Sequence, residues 1–384
     1  MRIAYFAYTN LNNPGAPRIH VRAIAEGLAD KGHEITLIVP AGFGRIDHEN
    51  IRMVEISSRP HHTIFWSKKV RSWLAKNRDS FDIVYLRDFY NSTPIAKASK
   101  AAGLPIVMEI NGSLRREISV PEEKFKYRLM GNIDLIFYLK RRFKIVDKII
   151  AVSPGLIAEY APFTGGEDKF SFMPNGVDIE LFAPVAEKQK LREDLDLGRF
   201  KPLLGAVGSI LAYHVDSPII RAVERLAERY SSLGFVFVGG GPGKEEFKKI
   251  ADQSPARDRI VFRGPVSIEE SAKYIASLDI AVAWSTDETA QGTWPVRLSA
   301  YSSGGIPIVG PDWGTYLTFE EVGALKTAKD GSSNNIADAV AEIIETPELA
   351  QKMSRAGRKY AVENLSWESI VNKTEKILFD LVNN

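Results

Sequence analysis

The segment that decides the fold is LDIAVAWSTDETAQGTWPVRLSAYSSGGIPIVG, residues 278–310. It predicts an apolar strand over residues 280–284, a polar loop, a helix that begins at about Pro295, and a second strand over residues 306–309 after a Gly-Gly pair ends the helix. In a parallel α/β sheet such a loop lies at the carboxyl edge, where a helix N-terminus offers free N–H groups and a positive dipole end. We therefore expect a phosphate to bind here, with Arg297 in the first turn as an additional positive charge.

The second half of this segment resembles the Pro-x-Lys-Leu, Tyr and Gly-x-Pro signature of glycosyltransferase family 4. The matching residues are Pro295, Arg297, Leu298, Tyr301, Gly305 and Pro307. The resemblance implies an α/β fold with two Rossmann-like doubly wound domains that face a central cleft, the GT-B architecture. It also implies an enzyme that moves a sugar from a nucleotide-sugar donor and needs no cofactor.

The same segment lacks two residues that are typical of the family. Family members carry two glutamates here, and the second of them holds the ribose hydroxyls of the nucleotide. In this chain those positions are Gly292 and Ala300, whose side chains cannot accept a hydrogen bond. The resemblance nevertheless makes Gly292 and Thr293 donor-binding candidates and Arg297 a catalytic candidate.

Composition excludes several classes of function. The chain has 384 residues, of which 45% are apolar, enough for two domains that each bury a core. Its net charge of +2 argues against nucleic-acid binding. The absence of cysteine excludes disulfides and thiolate chemistry and fits a reducing compartment, so we expect a cytoplasmic protein. No apolar run is long enough to predict a signal peptide or a membrane-spanning helix.

The N-terminal part alternates short apolar strands with helices, which indicates a doubly wound parallel sheet. Strands are predicted over residues 2–8, 34–39, 83–86, 105–109 and 148–152, and helices over residues 19–31, 64–76 and 93–102. The string GAPRIHVRAIAEGLADKGHEITLIV resembles the N-terminal signature of the family, which makes Gly15 and Arg18 donor-binding candidates. The alternative is that Gly15 and Pro14 only form a turn.

Asn111-Gly112 follows the predicted strand over residues 105–109, at another carboxyl edge. Many family members carry a histidine here that contacts the donor sugar, and some carry Asn-Gly instead. The resemblance therefore makes Asn111 a catalytic candidate. The alternative is that Asn-Gly only builds a turn.

The segment EEKFKYRLMGNIDLIFYLKRRFKIVDK, residues 122–148, is basic and rich in large apolar residues. A basic amphipathic surface can bind anionic lipid, which would suit a lipid-linked acceptor. We therefore predict a peripheral contact with the inner membrane face through Lys124 to Lys148. The alternative is a helical pair packed on the sheet, with its lysines solvated.

The strings IIAVSPGLIAEYA and FSFMPNGVDIELFAP resemble family segments near the end of the first domain. We expect an acceptor-side domain over residues 1–184, a charged linker over 185–200, a donor-side domain over 201–365, and a final helix over 366–384 that in relatives crosses back to the first domain. The linker contains Asp194-Leu-Asp196, superficially a metal-binding Asp-x-Asp. Metal-binding carboxylates belong on a loop at a sheet edge, so we predict no metal.

A second Rossmann-like unit begins with a predicted strand over residues 203–207. In the loop that follows, relatives place an arginine and a lysine that bind the donor diphosphate. Ser209 and His214 stand nearest to those positions, and Gly208 precedes them. Ser209 and Gly208 are donor-binding candidates, and His214 is a catalytic candidate.

The next strand, over residues 235–238, leads into a glycine run that resembles the Gly-x-Gly-Pro loop of the family. Gly240 and Gly241 are therefore donor-binding candidates, although the motif is weak by itself. Val266 lies in a further family segment, at a position expected near the nucleotide base.

Together these residues and the resemblance predict a metal-independent glycosyltransferase that acts on a glycan or lipid-linked hydroxyl acceptor, and the resemblance implies transfer with retention. Helix N-termini and the loops at Gly15, Gly240 and Thr293, with Arg297 and His214 as cations, would stabilise the leaving diphosphate. The alternative is a catalytically silent homologue that binds a glycan or a partner protein. The missing glutamate pair and the missing Arg/Lys pair are the evidence for it.

Overall fold

A computed structural model describes residues 1–13, 15–58, 63–118, 125–209, 218–283 and 292–383. Two compact units make up the chain. The N-terminal unit consists of Met1–Asn175, Gly292–Trp294 and Trp367–Asn384, and the C-terminal unit consists of Gly176–Gln291 and Pro295–Ser366.

The N-terminal unit is built on a seven-stranded parallel sheet with the strand order β3-β2-β1-β4-β5-β6-β7. Its strands are β1 (Arg2–Phe6), β2 (Glu34–Pro40), β3 (Ile51–Ile56), β4 (Ile83–Arg87), β5 (Ile106–Ile110), β6 (Lys148–Ala151) and β7 (Phe170–Phe172). Its helices are α1 (Ala16–Asp30), α2 (Thr63–Asn77), α3 (Thr93–Ala101), α4 (Leu114–Glu117), α5 (Phe125–Asp134), α6 (Lys140–Ile145) and α7 (Pro154–Thr164), with a π-helical turn over Leu135–Leu139. The strand order reverses between β1 and β4, and ligands of such sheets bind at the carboxyl ends of the strands there.

The C-terminal unit repeats the design with a six-stranded parallel sheet in the order β10-β9-β8-β11-β12-β13. Its strands are β8 (Leu203–Val207), β9 (Gly234–Val238), β10 (Ile260–Arg263), β11 (Ile280–Val282), β12 (Ile308–Gly310) and β13 (Leu325–Thr327). Its helices are α8 (Lys188–Asp194), α9 (Ile219–Arg229), α10 (Lys244–Asp252), α11 (Ile268–Ser277), α12 (Val296–Ser303), α13 (Thr315–Glu321), α14 (Ser333–Glu345) and α15 (Pro347–Tyr360). The predicted fold class, two doubly wound parallel sheets, is confirmed.

Two further segments lie outside these sheets, the one expected to be a linker and the one expected to be the final helix. Residues 185–200, expected to be a linker, carry α8 and belong to the C-terminal unit. The last helix, α16 (Trp367–Asn383), belongs to the N-terminal unit, where it packs against α1 and buries Leu378 completely. Thr374 and Ile370 of α16 are buried in the same core.

In the opening segment the helix ends at the Gly-Gly pair as predicted, but the helix and the strand after it each start slightly later than predicted. Pro295 is the N-cap residue, so the first helical residue is Val296. At the other end Gly305 has a φ of 62°, and the Ile306 amide donates to the Tyr301 carbonyl at 2.9 Å. These contacts cap the helix, so Ile306 is not free to pair in the sheet, and Pro307 has no N–H to donate. The second strand therefore begins at Ile308 and not at residue 306.

Tyr301 of α12 completes the edge of β8. Strand β11 pairs with β8 only at Leu204 and Gly205, so the polar groups of Val207 lie beyond the end of that pairing. The buried hydroxyl of Tyr301 accepts a hydrogen bond from the Val207 amide at 2.8 Å and donates one to the Val207 carbonyl at 3.1 Å. The tyrosine of the signature thus fastens α12 to the end of β8.

Replacing Tyr301 with phenylalanine should leave the buried amide and carbonyl of Val207 without partners. We expect the free energy of unfolding to fall by about 1–3 kcal/mol, the cost of leaving a buried polar group unsatisfied. Urea denaturation of the full chain measures the change. Tyr230→Phe is the matched control, because its hydroxyl bonds Glu345 at an exposed position and should cost less than about 1 kcal/mol. Equal losses in the two variants would contradict this role of Tyr301.

Candidate functional site

Three glycine-containing loops interlock at the carboxyl edge of the C-terminal sheet. The Gly208 amide after β8 donates to the Val238 carbonyl at 2.9 Å, and the Gly239 amide after β9 donates to the Arg263 carbonyl at 3.2 Å. A Cβ atom on Gly239, whose φ is 141°, would overlap the carbonyl oxygen of Gly208. A Cβ atom on Gly240 would lie 2.8 Å from the Pro265 ring. Glycine is therefore required for these backbones to approach so closely.

The structure brings five predicted donor-binding residues to this edge. They are Gly208 and Ser209 after β8, Gly240 and Gly241 after β9, and Val266 after β10. The contact between Gly240 and Pro265 places the second loop beside the residue that precedes Val266. Gly208, Ser209 and Gly241 are exposed, and Gly240 and Val266 are partly exposed.

The helices that follow these strands differ in the charge at their N-termini. Helix α10 has Glu245 and Glu246 in its first turn, and α11 has Glu269 and Glu270. Those carboxylates already compensate the positive ends of their helix dipoles. Helix α12 has no acidic residue in its first turn, so its N-terminus suits an anion better than those of α10 and α11.

Arg297 lies in that first turn and is partly exposed. Within the described part of the chain, its guanidinium forms neither a hydrogen bond nor an ion pair. Burial raises the pKa of the Tyr301 hydroxyl, while the charge of Arg297 acts in the opposite direction. The guanidinium is thus close to the hydroxyl that holds the end of β8, immediately before Gly208.

The two positions where the family carries glutamates are occupied differently here. Ala300 is buried in α12 and offers no acceptor. Gly292 belongs to the N-terminal unit, where its carbonyl accepts a hydrogen bond from Ser153 at 3.0 Å. A Cβ atom on Gly292 would lie only 3.1 Å from the guanidinium carbon of Arg116. The Arg116 side chain therefore occupies the space into which a side chain at position 292 would extend.

Gly292 and Thr293 were expected in one loop with Arg297, and the structure divides them between the units. Gly292–Trp294 pack with the N-terminal unit, where the Trp294 ring lies 5.5 Å from that of Phe172. Arg297 belongs to the C-terminal unit. The divergence arises because the buried Ser153 holds Gly292 and the more exposed Phe172 packs against Trp294, both through contacts distant in sequence. His214 lies outside the described residues, and its predicted role stays a prediction.

Gly15 and Arg18 lie at the start of α1 in the N-terminal unit. Gly15 is the N-cap residue with a φ of 132°, in the region that favours glycine, and no acidic residue occupies the first turn. Gly15 is exposed and Arg18 is partly exposed. The loop after β1 therefore offers the positive end of a helix at the carboxyl edge of the N-terminal sheet.

Sequence reasoning missed Glu109, a carboxylate at the end of β5 that is 1% exposed. Its oxygens accept hydrogen bonds from four side chains: His20 at 2.8 Å, Arg87 at 2.8 Å, Tyr85 and Asn111. Burial alone would raise the pKa of Glu109, but the charge and hydrogen bond of His20, with the charge of Arg87, hold it well below its usual range. A glutamate inside the apolar strand IVMEI was the signal that could have revealed this cluster.

His20 extends the cluster to the end of the unit. Its Nδ1 atom lies 3.0 Å from Oδ1 of Asn175, the last residue of the N-terminal unit before Gly176, and its Nε2 atom faces Glu109. The imidazole therefore joins the buried carboxylate of Glu109 to Asn175.

Aromatic side chains gather where β1, β2 and β4 end. The Tyr8 ring stacks on Phe89 at 5.3 Å and meets Phe43 edge-on at 5.4 Å, and Trp66 of α2 lies 5.4 Å from Tyr8. Trp66 is fully buried, whereas Tyr8, Phe43 and Phe89 remain partly exposed. The strand order reverses between β1 and β4, so this aromatic cluster lies where such sheets bind ligands.

The basic segment forms a helix, a π-helical turn and a second helix without interruption between residues 125 and 145. It exposes four large apolar side chains, which we term the apolar ridge: Leu129, Ile136, Phe137 and Tyr138. Ile136 and Phe137 are each 67% exposed. Arg142, counted among the surface cations from sequence, is instead buried and lies 2.9 Å from Asp88 and 3.1 Å from Asp134. In the described segments, no helix has the length and apolar character needed to cross a bilayer.

Family models match both halves of the chain. The model for glycosyltransferase family 4 matches residues 18–181, and the model for glycosyl transferases group 1 matches residues 187–360.

Among curated proteins, the GDP-mannose-dependent alpha-(1-6)-phosphatidylinositol monomannoside mannosyltransferase of Mycobacterium tuberculosis is 26% identical over 60% of this chain and 61% of its own length. The chain thus spans about three fifths of that relative. An uncharacterized glycosyltransferase of Methanocaldococcus jannaschii is 23% identical over 94% of both chains. Of the solved structures, Anabaena HepE in complex with UDP superimposes with a TM-score of 0.75 and 18% identity, covering 99% of this chain and 100% of HepE. A glycosyltransferase from Rickettsia africae gives a TM-score of 0.76 at 16% identity, over 100% of this chain and 99% of the other.

Replacing Gly239 with alanine should disrupt the interlocked loops, because the new Cβ atom overlaps the Gly208 carbonyl at a strained φ. We expect the free energy of unfolding to fall by more than about 1 kcal/mol. Gly264→Ala is the matched control in the next loop, where a Cβ atom meets nothing within 4 Å. It should be neutral or slightly stabilising, since alanine restricts the unfolded chain. Equal free energies of unfolding for the two variants would show that the close approach of Gly239 to Gly208 does not require glycine.

Proposed function

The chain belongs to glycosyltransferase family 4, and on that premise we propose that it transfers a sugar from a nucleotide-diphosphate sugar to a hydroxyl group of a glycan or lipid-linked acceptor. The observation that carries the proposal is the carboxyl edge of the C-terminal sheet. There the interlocked loops at Gly208 and Gly239 adjoin the Tyr301 anchor of α12, which carries Arg297.

The donor diphosphate is assigned to the first turn of α12. Free backbone N–H groups and the positive dipole end of this helix favour an anion, and Arg297 adds a full charge that no described residue compensates. In the transfer, the bond from the anomeric carbon to the diphosphate breaks and negative charge develops on the leaving oxygen. Groups fixed in advance around that oxygen lower the barrier most.

The proposal assigns no metal and no carboxylate nucleophile. Asp194 and Asp196 lie at the end of α8, whose Lys188 and Arg192 contact the Leu278 and Ser277 carbonyls, before β11 begins and thus near the opposite edge of the sheet. Glu109 already accepts four hydrogen bonds and is almost inaccessible. Retention without a protein nucleophile, as the family implies, is consistent with both observations.

The acceptor is assigned to the N-terminal unit. The aromatic cluster of Tyr8, Phe43 and Phe89 offers apolar ring faces of the kind that pack against ligands in concave sites. The names of two relatives specify glycolipids: one is a phosphatidylinositol monomannoside mannosyltransferase and the other an alpha-galactosylglucosyldiacylglycerol synthase. We therefore favour a lipid-linked acceptor for this chain.

A peripheral membrane contact fits such an acceptor. The apolar ridge projects from a segment that also exposes Lys140, Arg141 and Lys144. Helix α6 packs on α3, which in turn packs on α2, and α2 carries a surface pocket of about 420 Å³ bordered by Lys68, Lys69 and Lys76. Exposed apolar residues beside clustered lysines and arginines are what anionic bilayers bind.

A catalytically silent homologue is the second candidate. It is favoured by the buried Ala300 and by Arg116, which fills the space beside Gly292. Neither position can contribute the carboxylate that the family uses. A silent homologue would still bind a glycan at the aromatic cluster but would bind no nucleotide.

A thermal-shift screen of UDP, GDP, ADP and CMP tests the proposal, because a ligand of the folded state alone raises the melting temperature. With the nucleotide so identified, Arg297→Ala should raise its dissociation constant about tenfold, as expected for the loss of a charge-assisted contact. Titration calorimetry measures the change. Arg225→Ala, an exposed arginine on α9, is the matched control and should bind as the wild type does. An unchanged constant for Arg297→Ala would refute the diphosphate assignment, and no shift with any nucleotide would favour the silent homologue.

Vesicle co-sedimentation tests the membrane contact. We expect the protein to sediment with vesicles of anionic phospholipid at low salt and much less with neutral vesicles. The double variant Ile136→Ser/Phe137→Ser should lower the bound fraction at least about fivefold, because two exposed apolar side chains no longer enter the lipid. Phe379→Ser, an exposed phenylalanine on α16, is the control and should not alter it. Absence of sedimentation with either lipid would argue for a soluble acceptor.

A further inference from the structure

We propose that Glu109 is a positioning residue that fixes the Asn111 side chain so that its carbonyl oxygen, and not its amino group, is presented to a hydroxyl of the sugar substrate. The inference rests on the proposed function, because it assigns a role in sugar recognition to the loop after β5. It concerns a cluster that lies wholly within the N-terminal unit.

The two oxygens of Glu109 have distinct sets of partners. Oε2 accepts from His20 and from the Tyr85 hydroxyl. Oε1 accepts from Arg87 and from the side-chain amino group of Asn111. A carboxylate has about four lone-pair directions, so every one is used. Glu109 has no capacity left to bind a substrate and acts only through the groups that it holds.

The orientation of the Asn111 amide follows from this arrangement. An ionised carboxylate only accepts hydrogen bonds, so the Asn111 amino group must face Glu109 and its carbonyl oxygen must face away. The reverse orientation would place two acceptor oxygens together inside a buried cluster, where an unmade hydrogen bond is costly. The low pKa of Glu109 supports the ionised form.

The carbonyl oxygen of Asn111 makes no hydrogen bond with any residue that the structure describes, and the residue is partly exposed. An amide oxygen accepts hydrogen bonds and cannot donate one. It therefore selects a hydroxyl group, whereas a phosphate oxygen, itself an acceptor, would be repelled. A sugar presents several hydroxyl groups, so the loop after β5 is chemically suited to the sugar and not to the diphosphate.

Because Glu109 is buried, its carboxylate needs partners that fix its position. A charge inside the unit requires partners, and Arg87 supplies an opposite charge while His20 and Tyr85 contribute hydrogen bonds. These bonds, from α1 and β4, fix the carboxylate, so that its remaining direction is available to Asn111. Asn111, a loop residue, is thereby held in one orientation by a buried residue of the sheet.

The experiment compares a nucleoside diphosphate with its sugar conjugate. Dissociation constants are measured for GDP and GDP-mannose and for UDP and UDP-glucose, and the ratio within a pair isolates recognition of the sugar. We expect Glu109→Gln to reduce that ratio about threefold to tenfold, the value of one hydrogen bond, while affinity for the nucleoside diphosphate stays the same. The glutamine amide can donate toward Asn111, so the Asn111 side chain is free to reverse.

Tyr85→Phe is the matched control, because it removes a hydrogen bond to the other oxygen of Glu109 and leaves the Asn111 contact in place. Both variants should lower the melting temperature, but only Glu109→Gln should change the ratio. The side-chain amide signals of Asn111 in a ¹⁵N correlation spectrum should move in Glu109→Gln and stay in Tyr85→Phe.

Asn111→Ala covers the case in which Glu109→Gln fails to fold, because Asn111 is partly exposed and outside the core. Asn111→Ala should reduce the ratio that reports sugar recognition by the same factor as Glu109→Gln. In a double-mutant cycle, adding Glu109→Gln to Asn111→Ala should reduce that ratio no further. A wild type that binds GDP or UDP with the sugar ratio unchanged in Asn111→Ala, or with additive losses in the cycle, would overturn the positioning role. A wild type that binds none of these four compounds and neither ADP nor CMP would instead refute the proposed function.

Discussion

The hydrogen bonds between the Tyr301 hydroxyl and Val207 are the interaction on which the C-terminal unit depends. They extend the edge of β8 beyond its pairing with β11 and fasten α12 to it. The Gly208 backbone is then fixed on its other side by Val238, so that Gly239 can approach it at a distance only glycine allows. The cation of Arg297 and the exposed glycine backbones are thereby held at one edge of the sheet.

In the N-terminal unit, a buried charge and its hydrogen-bond partners, and not close backbone contacts, fix the loops at the edge of the sheet. Glu109 is buried at the end of β5, and an unpaired carboxylate there would be too costly to retain. It is stabilised by hydrogen bonds from an imidazole, a guanidinium, a hydroxyl and an amide, which come from α1, β4 and the loop after β5. The cluster therefore connects the helix that follows Gly15 with the loop that carries Asn111.

At the two positions where the family carries glutamates, neighbouring atoms occupy the space that a longer side chain would need. Ala300 is enclosed in the core of the C-terminal unit, and the place of a side chain at position 292 is taken by Arg116, which lies 3.7 Å from Glu159. Restoring a glutamate at either position alone would therefore meet occupied space. The proposed donor recognition therefore assigns the diphosphate to Arg297, to helix N-termini and to backbone groups of the glycine loops.

The sequence by itself determined the alternation of strands and helices, both parallel sheets, and the glycine loops at Gly15, Gly208 and Gly240, because periodicity and turn chemistry act over a few neighbouring residues. It also placed Arg297 in the first turn of a helix, although the role of every candidate site residue remains a prediction. Only the tertiary structure decided that Arg142 is buried, that Glu109 gathers four partners, and that Gly292 packs with the N-terminal unit. These outcomes depend on contacts such as Glu109 with His20, 89 residues apart, and Gly292 with Ser153, 139 residues apart. Burial and hydrogen bonding between such distant residues leave no periodic trace in the chain, so no local pattern could have predicted them.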